Sequence, residues 1–236
     1  MKIVSWNCSF ENGGFSEKKF ELISQHELCK DMDILVIQEC TYKEKITFGS
    51  QFEYSDWYGD GKDSLLGIGV FSKKFQFELS PEYKFTTPYR YIVPYKFMIK
   101  DTELMVFAVW TKDSIDKIYK YEYEKNIYGA FKDERFSELL KFPSIVIGDF
   151  NTFAKTDNQR LSDQNSKLRS YGLHNCAEGE NAELPTFISP KDGPGTDDFC
   201  YATEQIVKTA KFSVLGRSSD FDNLSDHCPI IVDFDL

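Results

Sequence analysis

Short apolar runs of strand length recur along this chain and alternate with polar segments. Runs that are almost uninterrupted, such as DILVIQE at 33–39, are typical of strands covered on both faces. The tripeptide Lys100–Asp101–Thr102 separates two such runs and predicts a hairpin. The predicted strands are 2–7, 33–39, 65–73, 89–100, 103–110, 144–151, 197–203, 211–216 and 229–236.

Three segments carry apolar residues at helical spacing instead. The first spans 16–29, with Ser16 as a plausible N-cap. A long helix is predicted over 115–141, ended by Pro143, and a further helix around 160–172. Helices thus come between strands in each half, while several neighbouring strands look antiparallel. We therefore predict an α/β fold in which two mixed sheets pack face to face with helices outside.

Composition fits one large folded domain. The chain has 236 residues, 41% of them hydrophobic and 16% aromatic, which argues against disorder. It contains neither a linker nor a strong internal repeat, so one domain over 1–236 is predicted. The N-terminus does not resemble a signal peptide, and no apolar run approaches the roughly 20 residues of a membrane span.

The cysteines indicate the compartment. Six of them are scattered along the chain without a CxxC pair. This distribution favours free thiols in a reducing environment over disulfides or a zinc site. We expect a cytoplasmic protein, most simply a monomer.

The net charge of −10 argues against a simple polyanion binder, but charge is unevenly spread. Residues 62–100 carry a local excess of basic side chains. Aromatic rings within a basic groove suit single-stranded nucleic acid, whereas the alternative is that these lysines are the wet faces of strands. The interleaved residues are Tyr89, Arg90, Tyr91, Tyr95, Lys96 and Phe97.

Acids and amides cluster where the predicted strands end. Asn7 and Glu39 close the first two strands, and Asp226 precedes the last. Burying such groups without partners is costly, whereas a hard cation such as Mg²⁺ prefers oxygen ligands. Carboxylates gathered at one rim would explain the placement, although each residue alone could be an ordinary turn former or the first wet residue after a strand.

A second polar set suits phosphoryl chemistry. Asp149 and Asn151 are two apart, so in extended backbone they point to the same side and can orient a water or a phosphoryl oxygen. His227 can supply a cation to the charge that develops in phosphoryl transfer. Asp198 can hold that imidazole in one tautomer and favour its protonated form.

Taken together, the motifs resemble the endonuclease/exonuclease/phosphatase superfamily of metal-dependent phosphoesterases, related to abasic-site endonucleases and pancreatic-type deoxyribonucleases. The resemblance spans nearly the whole chain and implies a four-layered α/β sandwich. The matching pieces are SWN at 5–7, LVIQE at 35–39, GIGVFS at 67–72, VIGDFN at 146–151, DDF at 197–199 and SDHCPI at 225–230.

The resemblance implies roles at the matching positions. Glu39 would be the main Mg²⁺ ligand, helped by Asn7 and Asp226, with Mn²⁺ as an alternative metal. The reaction would be in-line attack of water on phosphorus. The implied catalytic set is Asp149 for the water, Asn151 for placing the water or phosphate, His227 for the scissile phosphate and Asp198 in support of His227.

One departure concerns Trp110, where many relatives carry a His or Tyr that touches the phosphate. Trp has one N–H donor and no comparable acidity, so it either lines a base or ring pocket or packs. The departure puts the abasic-site and sphingomyelinase subfamilies in doubt but leaves the metal site intact.

Three functions remain open from the sequence. The first is a Mg²⁺-dependent phosphodiester hydrolase acting on DNA or RNA, with Trp110, Arg90 and Lys96 as candidate substrate contacts. The second is a phosphatase or phosphodiesterase for a small or lipid-borne phosphoester, favoured by the acidic net charge. The third is a non-catalytic binding protein that retains the fold, against which the full set of site residues counts.

Overall fold

Two mixed β-sheets lie face to face at the centre of the molecule. The computed structural model describes residues 1–59, 66–81, 83, 89, 91–111, 123–154, 158–177, 184–189, 193–216 and 224–236.

The first sheet has the strand order β12-β13-β1-β2-β4-β3 among the described residues. Its β1–β2 pair is parallel, and its other pairs are antiparallel. Its strands are β1 (Lys2–Asn7), β2 (Ile34–Cys40), β3 (Tyr54–Gly59), β4 (Gly67–Ser72), β12 (Lys211–Val214) and β13 (Ile230–Asp233).

The second sheet has the order β10-β11-β8-β7-β6-β5, with β9 also paired to β11. Here β7 and β8 are parallel, and the other pairs are antiparallel. Its strands are β5 (Phe77–Leu79), β6 (Ile92–Ile99), β7 (Thr102–Trp110), β8 (Ser144–Ala154), β9 (Leu173–Asn175), β10 (Phe187–Ser189) and β11 (Gly193–Thr203).

Helices cover the outer faces of both sheets, which gives the predicted four layers. The first sheet packs on α1 and α2, and the second on α3, α4 and α5. The helices are α1 (Glu17–Gln25), α2 (Tyr42–Gly49), α3 (Tyr123–Lys132), α4 (Glu134–Leu139), α5 (Asn158–Arg169) and α6 (Glu204–Val207), with a 3₁₀ turn at Phe10–Asn12.

Alternation along the buried strands builds two separate cores. On β2, Ile34 and Val36 face the other sheet, whereas Leu35 and Ile37 face α1 and α2. Because successive side chains of a strand point to opposite faces, an uninterrupted apolar run is what such a doubly covered strand requires. The predicted α/β architecture of two mixed sheets with outer helices is therefore confirmed.

The predicted long helix over 115–141 is wrong in its described part. It is divided at Asp133, whose side chain accepts a hydrogen bond from the Arg135 N–H at 3.0 Å and caps α4. An aspartate of this kind favours an N-cap over a helix interior, because its carboxylate satisfies free N–H groups of the first turn. Residues 115–122 of that prediction lie outside the described residues.

Other local predictions are confirmed. Ser16 caps α1 by accepting from the Lys19 N–H, and Lys100 with φ 54° lies in the turn between β6 and β7. The sequence prediction missed α2, although Thr41 and Glu44 form a capping box that the T-x-x-E spacing could have revealed.

Gly148 lies on β8, close to the main chain of β7. Its φ is 141°, and a Cβ atom there would lie 2.0 Å from the Val109 carbonyl oxygen. We expect Gly148→Ala to lower the free energy of unfolding by about 3 kcal/mol, because backbone strain and overpacking act together. Chemical denaturation should show it, with Gly172→Ala as control, since φ there is 76° but nothing lies within 4 Å of the added methyl. An equal cost for both variants would contradict the clash at Val109.

Candidate functional site

Polar side chains from both sheets meet at one edge of the sandwich. Asn7, the last residue of β1, donates from Nδ2 to Asp149 Oδ2 at 2.9 Å and to Glu39 Oε1 at 3.3 Å. Glu39 belongs to β2 in the first sheet and Asp149 to β8 in the second. Asn7 therefore joins two of the predicted site carboxylates across the interface between the sheets.

Glu39 does not end its strand, as the sequence suggested, because β2 continues to Cys40. The pairing of β2 with β4 is irregular between Gln38 and Cys40, and Glu39 has φ 56°. A bulge of this kind re-aims one side chain, often next to an active site. The Phe10 N–H then donates to Glu39 Oε2 at 2.7 Å, which fixes the second carboxylate oxygen.

Asp149 is fully buried and accepts three hydrogen bonds. Besides Asn7, its donors are the Asn151 main-chain N–H at 2.8 Å and Asn151 Nδ2 at 2.9 Å. The two residues converge as predicted, but the extended backbone assumed for them is wrong. Asn151 has φ 47°, and β8 runs on to Ala154, so a left-handed residue inside the strand brings the amide back onto the carboxylate.

Burial raises the pKa of Asp149 well above its usual range, and the neighbouring Asp198 adds to this, while His227 and the Asn7 hydrogen bond oppose it. Loss of hydration disfavours the charged carboxylate. A carboxylate with a raised pKa accepts a proton more readily than an exposed one, which suits a general base.

His227 forms an ion pair with Asp198 next to this group. Its Nδ1 lies 2.9 Å from Asp198 Oδ2, and Asp198 is opposite Asp149 in the pairing of β11 with β8. Burial opposes a charge on the imidazole, but Asp198 and Asp149 outweigh it and raise the pKa of His227 to about 10. The direction of this shift favours the protonated imidazole at neutral pH, and the support of His227 by Asp198 stays a prediction.

We expect the His227 imidazole in metal-free protein to stay protonated at neutral pH and to titrate near pH 10. Because its pKa is raised from 6.5, its contribution to stability is full below about pH 6.5 and is lost as the pH rises towards about 10. NMR of the imidazole Cε1–H signal, identified by its loss in His227→Gln, measures this directly. Deprotonation below pH 7 would contradict the ion pair.

Solved structures share this architecture. A 3′ phosphatase from Neisseria bound to a product DNA hairpin has a TM-score of 0.69 at 15% identity, with 100% of both chains covered. Truncated TDP2 from Caenorhabditis elegans gives 0.68 at 17%, over 99% of this chain and 96% of that chain. An AP endonuclease from Archaeoglobus fulgidus gives 0.65 at 14%, over 100% of both chains.

This chain has the endonuclease/exonuclease/phosphatase fold. The resemblance predicted from its motifs is thereby confirmed at the level of the fold. No protein-family model matches the sequence, and the search of curated proteins gave no match. Among the described residues, no helix combines the length and the apolar character that crossing a bilayer requires.

Two oxygen atoms of this candidate site are buried without a hydrogen-bond partner in the described part of the chain. They are Asp226 Oδ1 and Asp198 Oδ1. Such atoms are costly unless something else, such as a cation, satisfies them. In addition, ligand atoms of Asp149, Asp198 and His227 lie within 4.8 Å of one another, close enough to share one ion.

The predicted substrate contacts are less well placed. The ring of Trp110 is 4% exposed and packs edge-on against Tyr91 at 5.0 Å, the packing arrangement weighed against a pocket wall. Lys96 pairs with Glu103 at 3.4 Å on the neighbouring strand. Arg90 lies outside the described residues, and the roles of all three stay predictions.

The aromatic groove predicted within 62–100 is not formed by its central rings. Tyr95 and Phe97 are fully buried in the hydrophobic core, and Tyr91 is buried as well. The stacking role predicted for these rings is therefore wrong. On β6 these rings alternate with the half-buried Lys96 and the 42% exposed Met98, so the aromatic face of the strand is the inward one.

Two residues that support the site, Thr111 and Ser225, were missed by the sequence analysis. Thr111 fixes the backbone beside the site, since its carbonyl accepts from Asn151 Nδ2 at 2.8 Å and its hydroxyl donates to the Phe150 carbonyl. Ser225 donates to the Asn7 carbonyl at 2.7 Å and accepts from the His227 N–H at 3.1 Å. The S-D-H tripeptide contained the only signal for these contacts, because Ser hydroxyls commonly bond N–H groups two residues ahead.

Lys19 was also missed, because its helical position looks like an ordinary surface site. It is fully buried, and its Nζ donates to the Cys8 carbonyl and to the Asn12 carbonyl at 3.1 Å. Burial lowers the pKa of Lys19, while Cys8 and the nearby carboxylates of Glu44, Asp226 and Glu39 raise it. Lys19 thus fixes the loop that carries the Phe10 contact to Glu39.

All six cysteines are buried and free, as predicted. Cys8 and Cys40 directly follow the site residues Asn7 and Glu39, and burial raises the pKa of both thiols. Protonated, buried thiols of this kind act as small apolar residues.

Proposed function

We propose that this protein is a divalent-metal-dependent phosphodiester hydrolase, and specifically a nuclease that uses Mg²⁺. The observation that carries the proposal is the bridge from Asn7 to both Glu39 and Asp149, placed beside the Asp198–His227 ion pair. Glu39 is a carboxylate suited to bind a metal, Asp149 is a buried carboxylate suited to accept a proton, and His227 is suited to donate to a phosphoryl oxygen. This combination suits in-line attack of water on phosphorus.

The residues present fit a hard cation. Glu39 offers a carboxylate held from both sides, and Asp226 offers a buried oxygen that has no partner among the described residues. Mg²⁺ needs only one or two carboxylates beside waters and substrate phosphate. When bound there, it would neutralise charge on the phosphoryl oxygens. Asn7 directs its N–H₂ to the carboxylates and its oxygen to the Ser9 N–H, so it orients these ligands in the present geometry.

Asp149 is proposed to accept the proton of the attacking water. Its three donors fix the carboxylate, and its raised pKa makes it a competent base. Asn151 holds the carboxylate and lies beside it to place the water or a phosphoryl oxygen. The water oxygen forms the new bond to phosphorus as the bond to the leaving oxygen breaks.

His227 is proposed to stabilise the charge that develops on the phosphoryl oxygens. Its Nδ1 is engaged by Asp198 at 2.9 Å, which leaves Nε2–H to donate to the substrate. A donor held in position within a buried site is worth more than the same donor in water. The protonated ring cannot coordinate a metal, which favours the carboxylates Glu39 and Asp226 as the Mg²⁺ ligands.

A nucleic-acid substrate is favoured over a small phosphoester by two considerations. The 3′ phosphatase of the same fold is bound to a product DNA hairpin, and another protein of this fold is an AP endonuclease. The exposed aromatic residues Phe10 and Tyr42 also lie in the chain segments next to Glu39. The second candidate, a small or lipid-borne phosphoester, is favoured by the net charge of −10.

The proposal is tested with a panel of substrates at fixed Mg²⁺ and increasing salt. The panel contains single- and double-stranded DNA, RNA, an abasic duplex, mononucleotides and inositol phosphates. We expect cleavage of a polymer, with KM rising steeply as salt increases, because counterion release drives binding to polyanions. Turnover of small esters alone, indifferent to salt, would favour the second candidate, and no turnover at all would favour a non-catalytic protein.

A further inference from the structure

Two exposed aromatic residues lie in the chain segments next to Glu39. Phe10 is 43% exposed and Tyr42 is 42% exposed. Phe10 lies in the loop that leaves β1, and Tyr42 begins α2, only three residues after Glu39. Since β1 and β2 are parallel neighbours, with Asn7 opposite Gln38, both segments leave the first sheet at the edge where the site lies.

The Phe10 loop is held rigidly against the site. The Phe10 N–H donates to Glu39 Oε2 at 2.7 Å, and the Ser9 N–H donates to Asn7 Oδ1 at 3.0 Å. From beneath, the buried ammonium of Lys19 binds the carbonyls of Cys8 and Asn12. The main chain of Phe10 is thus fixed on both sides, although its ring remains in solvent.

Tyr42 is fixed in a comparable way. Its ring meets Trp57 edge-on with centroids 5.5 Å apart, and Trp57 Nε1 donates to the Cys40 carbonyl at 2.8 Å. The two aromatic segments also adjoin each other, because a Cβ atom on Gly14 would lie 2.4 Å from Glu44 Oε1. Glu44 in turn belongs to the capping box that starts α2.

Exposed rings on a rigid support suit a ligand with flat apolar faces. A nucleobase provides such a face, and its phosphate would lie at the carboxylate-and-metal site that both segments adjoin. Lys43, exposed and without an ion pair to any described residue, follows Tyr42 and suits the backbone charge. Paired bases within a duplex are already stacked, so the rings select unpaired ones.

We propose that Phe10 and Tyr42 form a base-stacking rim that makes single-stranded or frayed nucleic-acid ends the preferred substrate. The inference rests on the proposed phosphodiester hydrolysis at the adjoining site. Nucleobase recognition is thereby assigned to Phe10 and Tyr42, in the segments next to Glu39, instead of to the buried rings of β6.

The test compares Phe10→Ala, Tyr42→Ala and the double variant on two probes. One probe is an oligothymidylate, and the other is an oligomer of the same length that carries abasic sugars throughout. Phe142→Ala is the matched control, because this ring is 37% exposed but lies just before β8 starts, at the opposite end of the strand from Asp149 and Asn151. The readouts are kcat/KM and, independently, binding by fluorescence anisotropy.

Each substitution is expected to weaken oligothymidylate kcat/KM and affinity about tenfold, the loss that about 1.4 kcal/mol of stacking gives, and to leave the abasic probe unchanged. Equal losses on both probes, or no loss on either, would overturn the stacking rim. If the wild type hydrolyses neither probe, the hydrolase proposal fails instead. Anisotropy then still decides the rim, because thymidylate binding either depends on the two rings or does not.

Discussion

Asp149→Asn is expected to lower kcat/KM for phosphodiester hydrolysis by about 10³-fold, the middle of the range that a general base contributes. An amide cannot take the proton of the attacking water, although it occupies the same volume. Steady-state kinetics at saturating Mg²⁺ measure the loss, with Asp101→Asn in the β6–β7 turn as the exposed control.

Stability separates this role from a structural one. Burial already disfavours the charged form of Asp149, so neutralising the side chain removes a costly charge while one of its accepting oxygens remains. Because the amide gives up accepted hydrogen bonds and the attraction to His227, we expect the free energy of unfolding to fall by about 1–3 kcal/mol, which leaves the variant folded. A variant that loses activity and unfolds to the same extent would show that Asp149 only holds the strands together.

His227→Gln is expected to lower kcat/KM by about 10²–10³-fold, the usual cost of removing one fixed transition-state donor. Asp198→Asn should act through the same imidazole, because Asp198 both orients the ring and raises the pKa of His227. The double variant should therefore lose little more than His227→Gln alone.

Additive losses in this double-mutant cycle would mean that Asp198 and His227 contribute separately, contrary to the ion pair. A pH profile provides the second readout. Asp198→Asn should bring the loss of activity at alkaline pH to a lower value, since the imidazole then gives up its proton more easily. Gln164→Asn, on the helix α5 away from the strand ends that carry the site, controls for a buried polar substitution.

The positions of the site residues could be predicted because they follow from strand periodicity. The runs ending near Asn7, Glu39 and Asp149 were recognisable as buried strands, and neighbouring strands bring their ends to one rim. The motifs then added Asp198 and His227, which lie 2.9 Å apart in the structure. Apart from the motifs, nothing in the sequence indicated that Asp198 and His227, which are 29 residues apart, are in contact.

The backbone details could not be predicted in the same way. Glu39 and Asn151 both have positive φ, which the sequence does not announce at non-glycine residues. Each deviation re-aims a side chain that regular strand geometry would have placed elsewhere. Regular periodicity predicts regular strands, and the site depends on their irregular residues.

The prediction that the aromatic residues of β6 are exposed was wrong for a different physical reason. The rings of Tyr95 and Phe97 alternate with the half-buried Lys96 and the exposed Met98, so the aromatic set is the inward face of β6 and not a groove wall. Conversely, the exposed rings Phe10 and Tyr42 lie at the first positions of a 3₁₀ turn and of α2, where strand periodicity carries no information about exposure.

Glu39 is proposed to hold a metal ion, and Asp149 is proposed to accept the proton of the attacking water beside it. The most direct test of both roles is a Mg²⁺ titration of oligonucleotide cleavage after treatment with EDTA, run on the wild type, Glu39→Gln and Asp149→Asn. We predict that EDTA abolishes wild-type cleavage and that Mg²⁺ restores it. Glu39→Gln should need at least about tenfold more Mg²⁺, and Asp149→Asn should stay about 10³-fold slower than the wild type at every concentration. Cleavage that survives EDTA, or a Glu39→Gln curve identical to that of the wild type, would contradict this account.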